Sequence, residues 1–167
     1  MPSFTMTHEI DCDVERFWKI FFDKDVTKAT YVHLGFPKWE LIEEKDTEKE
    51  IIRKVKAIPK LDLPGPVKKV LGDGFGYTEE GRFDKAKKEY AFVITPTTLA
   101  DKMKNEGKVR AEAIDGGKRT KRIVDVTIEA KIFGVGGMIE KTTEKGTRDG
   151  WGEGAKFIND WIKKNPA

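Results

Sequence analysis

Hydrophobic and polar residues alternate from the third position onward. Phe4, Met6, His8 and Ile10 fall on one side and Ser3, Thr5, Thr7 and Glu9 on the other, the period of a half-buried strand. Asp11-Cys12-Asp13 stops it, and Asp13 suits an N-cap because its carboxylate can accept from free amides one turn into a helix. Val14, Phe17, Trp18, Phe21 and Phe22 follow at spacings of three and four, which predicts a helix with a wide aromatic face. A second short helix is expected with Asp25 as its cap, carrying Val26, Ala29, Tyr31 and Val32 and closed by Gly35.

From Pro37 the period changes to two. Strands are expected over 39–44 and 50–58, joined by a polar connection at 45–49. The prolines within 59–66 cannot lie inside a sheet, since each removes a ladder donor, and one helical turn is expected over 67–71. A hairpin over 75–84 and 88–95 comes next, then strands around 106–114 and 121–132 joined through Asp115-Gly116-Gly117-Lys118. In the last strand Val124, Val126, Ile128, Ala130 and Ile132 share one face. A helix of ~39 Å is expected over 138–163, with a bend or break near Trp151 where Gly146, Gly150, Gly152 and Gly154 weaken it.

Composition narrows the classes. Hydrophobic residues make up 38% and charged residues 37%, so the core must come from few side chains, and the 10 Phe and 4 Trp carry much of it. The length of 167 residues fits one domain spanning 1–167. The net charge of +3 comes from 32 basic and 29 acidic residues interleaved along the chain, which argues against a nucleic-acid partner. Cys12 is alone, so no intrachain disulfide or cysteine-based metal cage is expected. No apolar run of signal-peptide or membrane-span length is present, and a reducing, cytoplasmic location is expected. Nothing in the pattern sets an oligomeric state.

One strand, two helices, six strands and a long terminal helix predict an α+β fold, in which seven antiparallel strands need a cover that only the terminal helix can supply. The chain resembles the START-like superfamily (SRPBCC, polyketide cyclase-like, helix-grip), closest to a bacterial family of domains of unknown function. The segments carrying the resemblance are Phe-Thr-Met-Thr-His-Glu-Ile-Asp-Cys-Asp-Val-Glu-Arg-Phe-Trp (4–18), Leu-Gly-Asp-Gly-Phe-Gly-Tyr-Thr-Glu-Glu-Gly (71–81) and Ile-Glu-Ala-Lys-Ile-Phe-Gly-Val-Gly-Gly-Met-Ile-Glu (128–140). The resemblance implies a curved sheet wrapped around the long C-terminal helix, and a lipid, sterol or polyketide-like guest between them.

The expected lining is Val55, Tyr77, Phe83, Tyr90, Phe92, Val124, Val126 and Ile128 from the sheet with Met138 and Trp151 from the helix. Arg53 is the candidate polar anchor. One registration turns it inward with Ile51, Val55 and Ala57, where it needs an anionic partner such as Glu79 or a ligand headgroup; the other exposes it and buries Ile52 and Ile58. No catalytic set, metal site or cofactor is expected. His8 and His33 are the only histidines, Ser3 is the sole serine, and Cys12 beside a cap reads as a small buried thiol.

Gly134-x-Gly136-Gly137 lacks a following Gly-Lys-Ser/Thr and adjoins an antiparallel sheet, so close packing is favoured over a phosphate cradle. Leu61, Leu63, Val67, Val70 and Leu71 read either as a mobile lid or as a crossing loop with a satellite cluster. Lys60, Lys68 and Lys69 beside them suit a brief contact with an anionic membrane surface. A carrier of a hydrophobic small molecule is the leading expectation. The alternatives are a cyclase, hydratase or hydrolase using cavity groups such as Arg53, Glu79 and Tyr90, and a co-chaperone-like module with an exposed apolar patch at Leu61–Leu71.

Overall fold

The computed structural model describes residues 3–166. The order is β1 (Ser3–Ile10), α1 (Val14–Phe22), α2 (Lys24–His33), β2 (Lys38–Asp46), β3 (Glu50–Ile58), α3 (Gly65–Leu71), β4 (Tyr77–Asp84), β5 (Glu89–Pro96), β6 (Met103–Ile114), β7 (Arg119–Ala130) and α4 (Gly136–Lys164). All seven strands lie in one antiparallel sheet in the order β1-β7-β6-β5-β4-β3-β2. The architecture is the expected α+β helix-grip, an open curved sheet against a long C-terminal helix.

Local chemistry explains the element boundaries. Asp13 caps α1 by accepting from the Arg16 amide at 2.8 Å. The cap of α2 is Asp23 and not Asp25: its carboxylate accepts from the amides of Asp25 and Val26 at 2.9 and 3.0 Å. Asp25 instead sits in the first turn, where a negative charge complements the helix dipole. Gly35 follows α2 with φ of +81°, the left-handed geometry that ends a helix on glycine. β2 carries a register shift between Leu41 and Glu43.

The expected break in α4 is absent. The helix runs unbroken through Gly146, Gly150, Gly152 and Gly154 for 29 residues. Glycine weakens an isolated helix, but here packing holds it: Ala155 and Ile162 are buried in the main core. Asn159 ties the helix to the edge strand, accepting from the Asp11 amide at 2.9 Å and donating to the Glu9 carbonyl at 3.0 Å. Among the described residues no helix is long and apolar enough to cross a membrane.

Strand parity sets which side chains face the helix. On β3 the buried set is Ile51, Arg53, Val55 and Ala57, so Arg53 points inward. On β7 the inward set is Thr120, Arg122, Val124, Val126, Ile128 and Ala130, while Ile123, of opposite parity, is buried as well. β7 ends at Ala130, which leaves Ile132 in the turn beyond, packed against a second cluster of Val67, Leu71, Ala130 and Ile139.

Candidate functional site

Between the concave sheet and α4 lies a hollow of about 270 Å³. Its floor is built from inward positions of β3, β4, β5 and β7: Arg53, Tyr77 and Glu79, Tyr90 and Phe92, Arg122 and Ile128. Thr30 and Tyr31 of α2 close one side, and Leu61, Leu63, Val67 and Leu71 another. Residues of the 59–71 segment border the hollow, and Leu63, Val67 and Leu71 pack the second cluster, the satellite cluster of the crossing-loop expectation.

The roof explains why there is a hollow. The part of α4 facing the sheet presents Thr142, Thr143, Gly146, Thr147 and Gly150 before Trp151. A Cβ added at Gly150 would meet nothing within 4 Å, and one at Gly146 only the Leu61 side chain, at 3.8 Å. Helical spacing puts these small residues on one face, and nothing on that face is long enough to fill the space below.

Two arginines enter from the floor. Arg53 is 6% exposed, donates to the Phe21 carbonyl at 3.2 Å and lies 5.2–5.5 Å from the rings of Phe21, Phe22 and Tyr90. Tyr90 donates its hydroxyl to Glu79 Oε2 at 2.9 Å. It reaches across β4 because Gly81 stands between them: a Cβ there would lie 1.7 Å from the tyrosine hydroxyl. Burial raises the Glu79 carboxyl above its ordinary value, with Arg53 and the Tyr90 hydrogen bond pulling the other way. The surface that Glu79 keeps open faces the hollow. Burial also pushes the Tyr31, Tyr77 and Tyr90 phenols well above their usual range.

Arg122 is 3% exposed and pairs in register with His8 on β1. Its Nη2 donates to the Trp151 carbonyl at 2.9 Å and contacts His8 Nδ1 at 3.1 Å, and its guanidinium lies 4.8 Å from the Trp151 ring centre. Burial, then the Arg122 charge, lowers His8 to about 4, so at neutral pH the imidazole is uncharged and can accept. Burial lowers Arg122 to about 10, which leaves it cationic.

Of the eleven expected lining residues, Arg53, Tyr77, Tyr90, Phe92, Ile128 and Trp151 border the hollow. The others do not. Val124 and Val126 are 0% and 2% exposed within the main core, and Val55 is 2% exposed outside the lining of the hollow. Phe83 is enclosed by aromatic rings, 4.6 Å from Trp18 and 5.0 Å from Phe22. Met138 is 41% exposed, because its neighbour Ile139 takes the inward position of that turn. His33 lies tilted against Phe157 with ring centres 5.0 Å apart, and Cys12 is buried with its thiol pushed up to about 11, too high for a thiolate nucleophile at neutral pH. Gly136 serves packing: a Cβ there would lie 2.3 Å from the Ala130 carbonyl oxygen.

Arg122, Tyr31 and the small face of α4 were not anticipated. Parity could have found Arg122, which lies two residues before Val124 on the apolar face of the last strand.

No curated protein matches the chain. Solved structures do. TTHA0849 from Thermus thermophilus is 16% identical, with 99% of this chain and 100% of that one covered and a TM-score of 0.68. The Zhui aromatase/cyclase from Streptomyces sp. R1128 is 13% identical over 99% and 96%, with a TM-score of 0.67. A START superfamily protein from Mycobacterium smegmatis is 14% identical over 97% of each chain, with a TM-score of 0.59. At these identities the likeness is one of fold. Residues 5–162 match the family described as "Protein of unknown function (DUF2505)". The chain belongs to that family, and its fold is that of the START-like superfamily.

Proposed function

We propose that this protein encloses one small, largely hydrophobic molecule between the sheet and α4. The observation that carries this reading is the hollow of about 270 Å³, roofed by Thr142, Gly146, Thr147 and Gly150 where a packed core needs large side chains. Pockets for drug-sized ligands begin at ~300 Å³, so the guest is a compact or single-chain molecule. Burying ~300 Å² of apolar ligand surface contributes on the order of 7–8 kcal/mol before the loss of freedom on association, enough for micromolar binding. Arg53, Tyr90 and Glu79 offer donors and acceptors to a polar group of the guest. An aromatase/cyclase of similar fold is consistent with a small organic guest. Native mass spectrometry of the purified chain after exposure to a lipid extract tests this. One retained species per chain is expected; retention of nothing overturns the reading.

A second reading draws on Glu79. A carboxyl raised by burial and held by Tyr90 inside an enclosed space suits a general acid in a cyclase, hydratase or hydrolase reaction. The wild-type chain would then change the mass of the retained species on incubation, while Glu79→Gln would retain it unchanged. The partner-module alternative loses support because Val67 and Leu71 turn inward, leaving Leu61, 38% exposed, at the rim. With Lys60 beside it, Leu61 is the contact we propose for brief approach to an anionic membrane surface.

A further inference from the structure

The two inward arginines differ in what answers their charge. Arg53 has Glu79 within electrostatic reach, with the Tyr90 hydroxyl bonded to that carboxyl. Arg122 has no such partner among the described residues. Its hydrogen bonds go to neutral acceptors, the Trp151 carbonyl and a His8 imidazole that stays uncharged, and its buried Nε, like that of Arg53, makes no hydrogen bond among the described residues. No carboxylate among the described residues forms an ion pair with it; the nearby basic residue on the same strand, Arg119, takes Glu9, Asp11 and Asp115 instead. A guanidinium shut away from water is strongly disfavoured unless an anion accompanies it. Arg122 nevertheless borders the hollow.

We propose that the enclosed guest is an organic acid whose carboxylate pairs with Arg122, and that this pair selects acids over neutral molecules of the same shape. The inference rests on the enclosure reading and adds the chemical class of the ligand. The surroundings of Arg122 fit an acid with an apolar body. Trp151 lies beside the guanidinium, Phe92 stacks on Trp151 with ring centres 6.4 Å apart, and Ile128 follows on the same face of β7. Beyond them the small face of α4 leaves room for the rest of the molecule. Guanidinium and carboxylate match in planar geometry, and their hydrogen bonds are charge-assisted. The bonds of Arg122 to Trp151 and His8 hold it in place from the side of β1 and α4, so the acid meets a pre-set donor.

Displacement of the neutral fluorophore N-phenyl-1-naphthylamine from the full chain tests this, with decanoate, decanol and decyltrimethylammonium as competitors at neutral pH. Decanoate is expected to displace the probe at concentrations about tenfold or more below those of decanol, corresponding to ~1.4 kcal/mol. In Arg122→Met the decanoate-to-decanol ratio should fall close to one, and Arg122→Lys should recover part of it. Circular dichroism reports whether each variant folds; should Arg122→Met unfold, the wild-type acid-to-alcohol ratio and Arg122→Lys still decide. Equal displacement by decanoate and decanol overturns the acid proposal while leaving the enclosure reading intact. A preference that survives Arg122→Met and disappears in Arg53→Met assigns the acid to the other arginine and overturns it too. Failure of all three competitors and of the probe to bind removes both readings.

Discussion

Beneath α1 the concave side of the sheet is filled. Trp18 lies 4.6 Å from Phe83 and 4.9 Å from Phe17, and Phe21 and Phe22 lie 5.1 and 6.0 Å from Tyr90. Beneath the middle of α4 the same sheet faces Thr142, Thr143, Gly146, Thr147 and Gly150, and the space stays open. Both helices turn a consistent face to the sheet and both faces are placed by the same 3.6-residue period. They differ in side-chain volume. A wide aromatic face makes core, whereas a face of threonine and glycine makes a chamber, so within one fold the choice between stability and binding can be set by a few residues on the covering helix.

The largest effect expected from testing that contrast is at the filled end. Trp18→Ala should destabilise the fold by about 3–5 kcal/mol, read as a lowered urea midpoint, since the surrounding rings cannot collapse into the space. Gly150→Leu inverts the experiment at the open end. It should abolish probe binding while holding or raising stability by ~0.5–1 kcal/mol, because it replaces a helix-interior glycine at a place where a Cβ meets no neighbour within 4 Å and the rest of the side chain enters the hollow. Unaltered probe affinity in that variant would break the comparison.

The smallest effect concerns pH. His8 has its pKa lowered from 6.5 to about 4 in the folded chain, so the unfolded chain binds the extra proton first. Its contribution to stability is present above pH 6.5 and is lost as pH falls toward about 4; urea midpoints of His8→Gln should lose that part of the slope. Glu79, raised by burial, acts in the opposite sense: its contribution is present at acid pH and is lost as pH rises through its shifted value.

Much of the architecture was legible because it rests on local chemistry. The alternation of Val124, Val126, Ile128 and Ala130 placed the last strand, and Phe17, Trp18 and Phe21 placed the aromatic face of α1. The cap at Asp23 was missed because Asp25 is chemically equivalent, and only backbone geometry separates the two. The site was harder. Val55, Val124 and Val126 belong to the same inward faces as the true lining residues, and a linear pattern shows which way a side chain points but not whether anything stands opposite. Arg122 follows the parity of its strand, but a charged residue does not register in an apolar alternation. The glycines of α4 were read as weakness in the helix, which is their effect in isolation. Within the fold their effect is spatial.

The pairing of β1 with β7 has a consequence for how the chain is made. Ser3 meets Thr127 across 124 positions of sequence, while every other pair of neighbouring strands is consecutive. β1 and the aromatic helix behind it leave the ribosome well before β7, the strand they dock beside. Until then a greasy helix waits uncovered. Nascent chains arrested before residue 119 should therefore be the species most prone to clump or to recruit a chaperone.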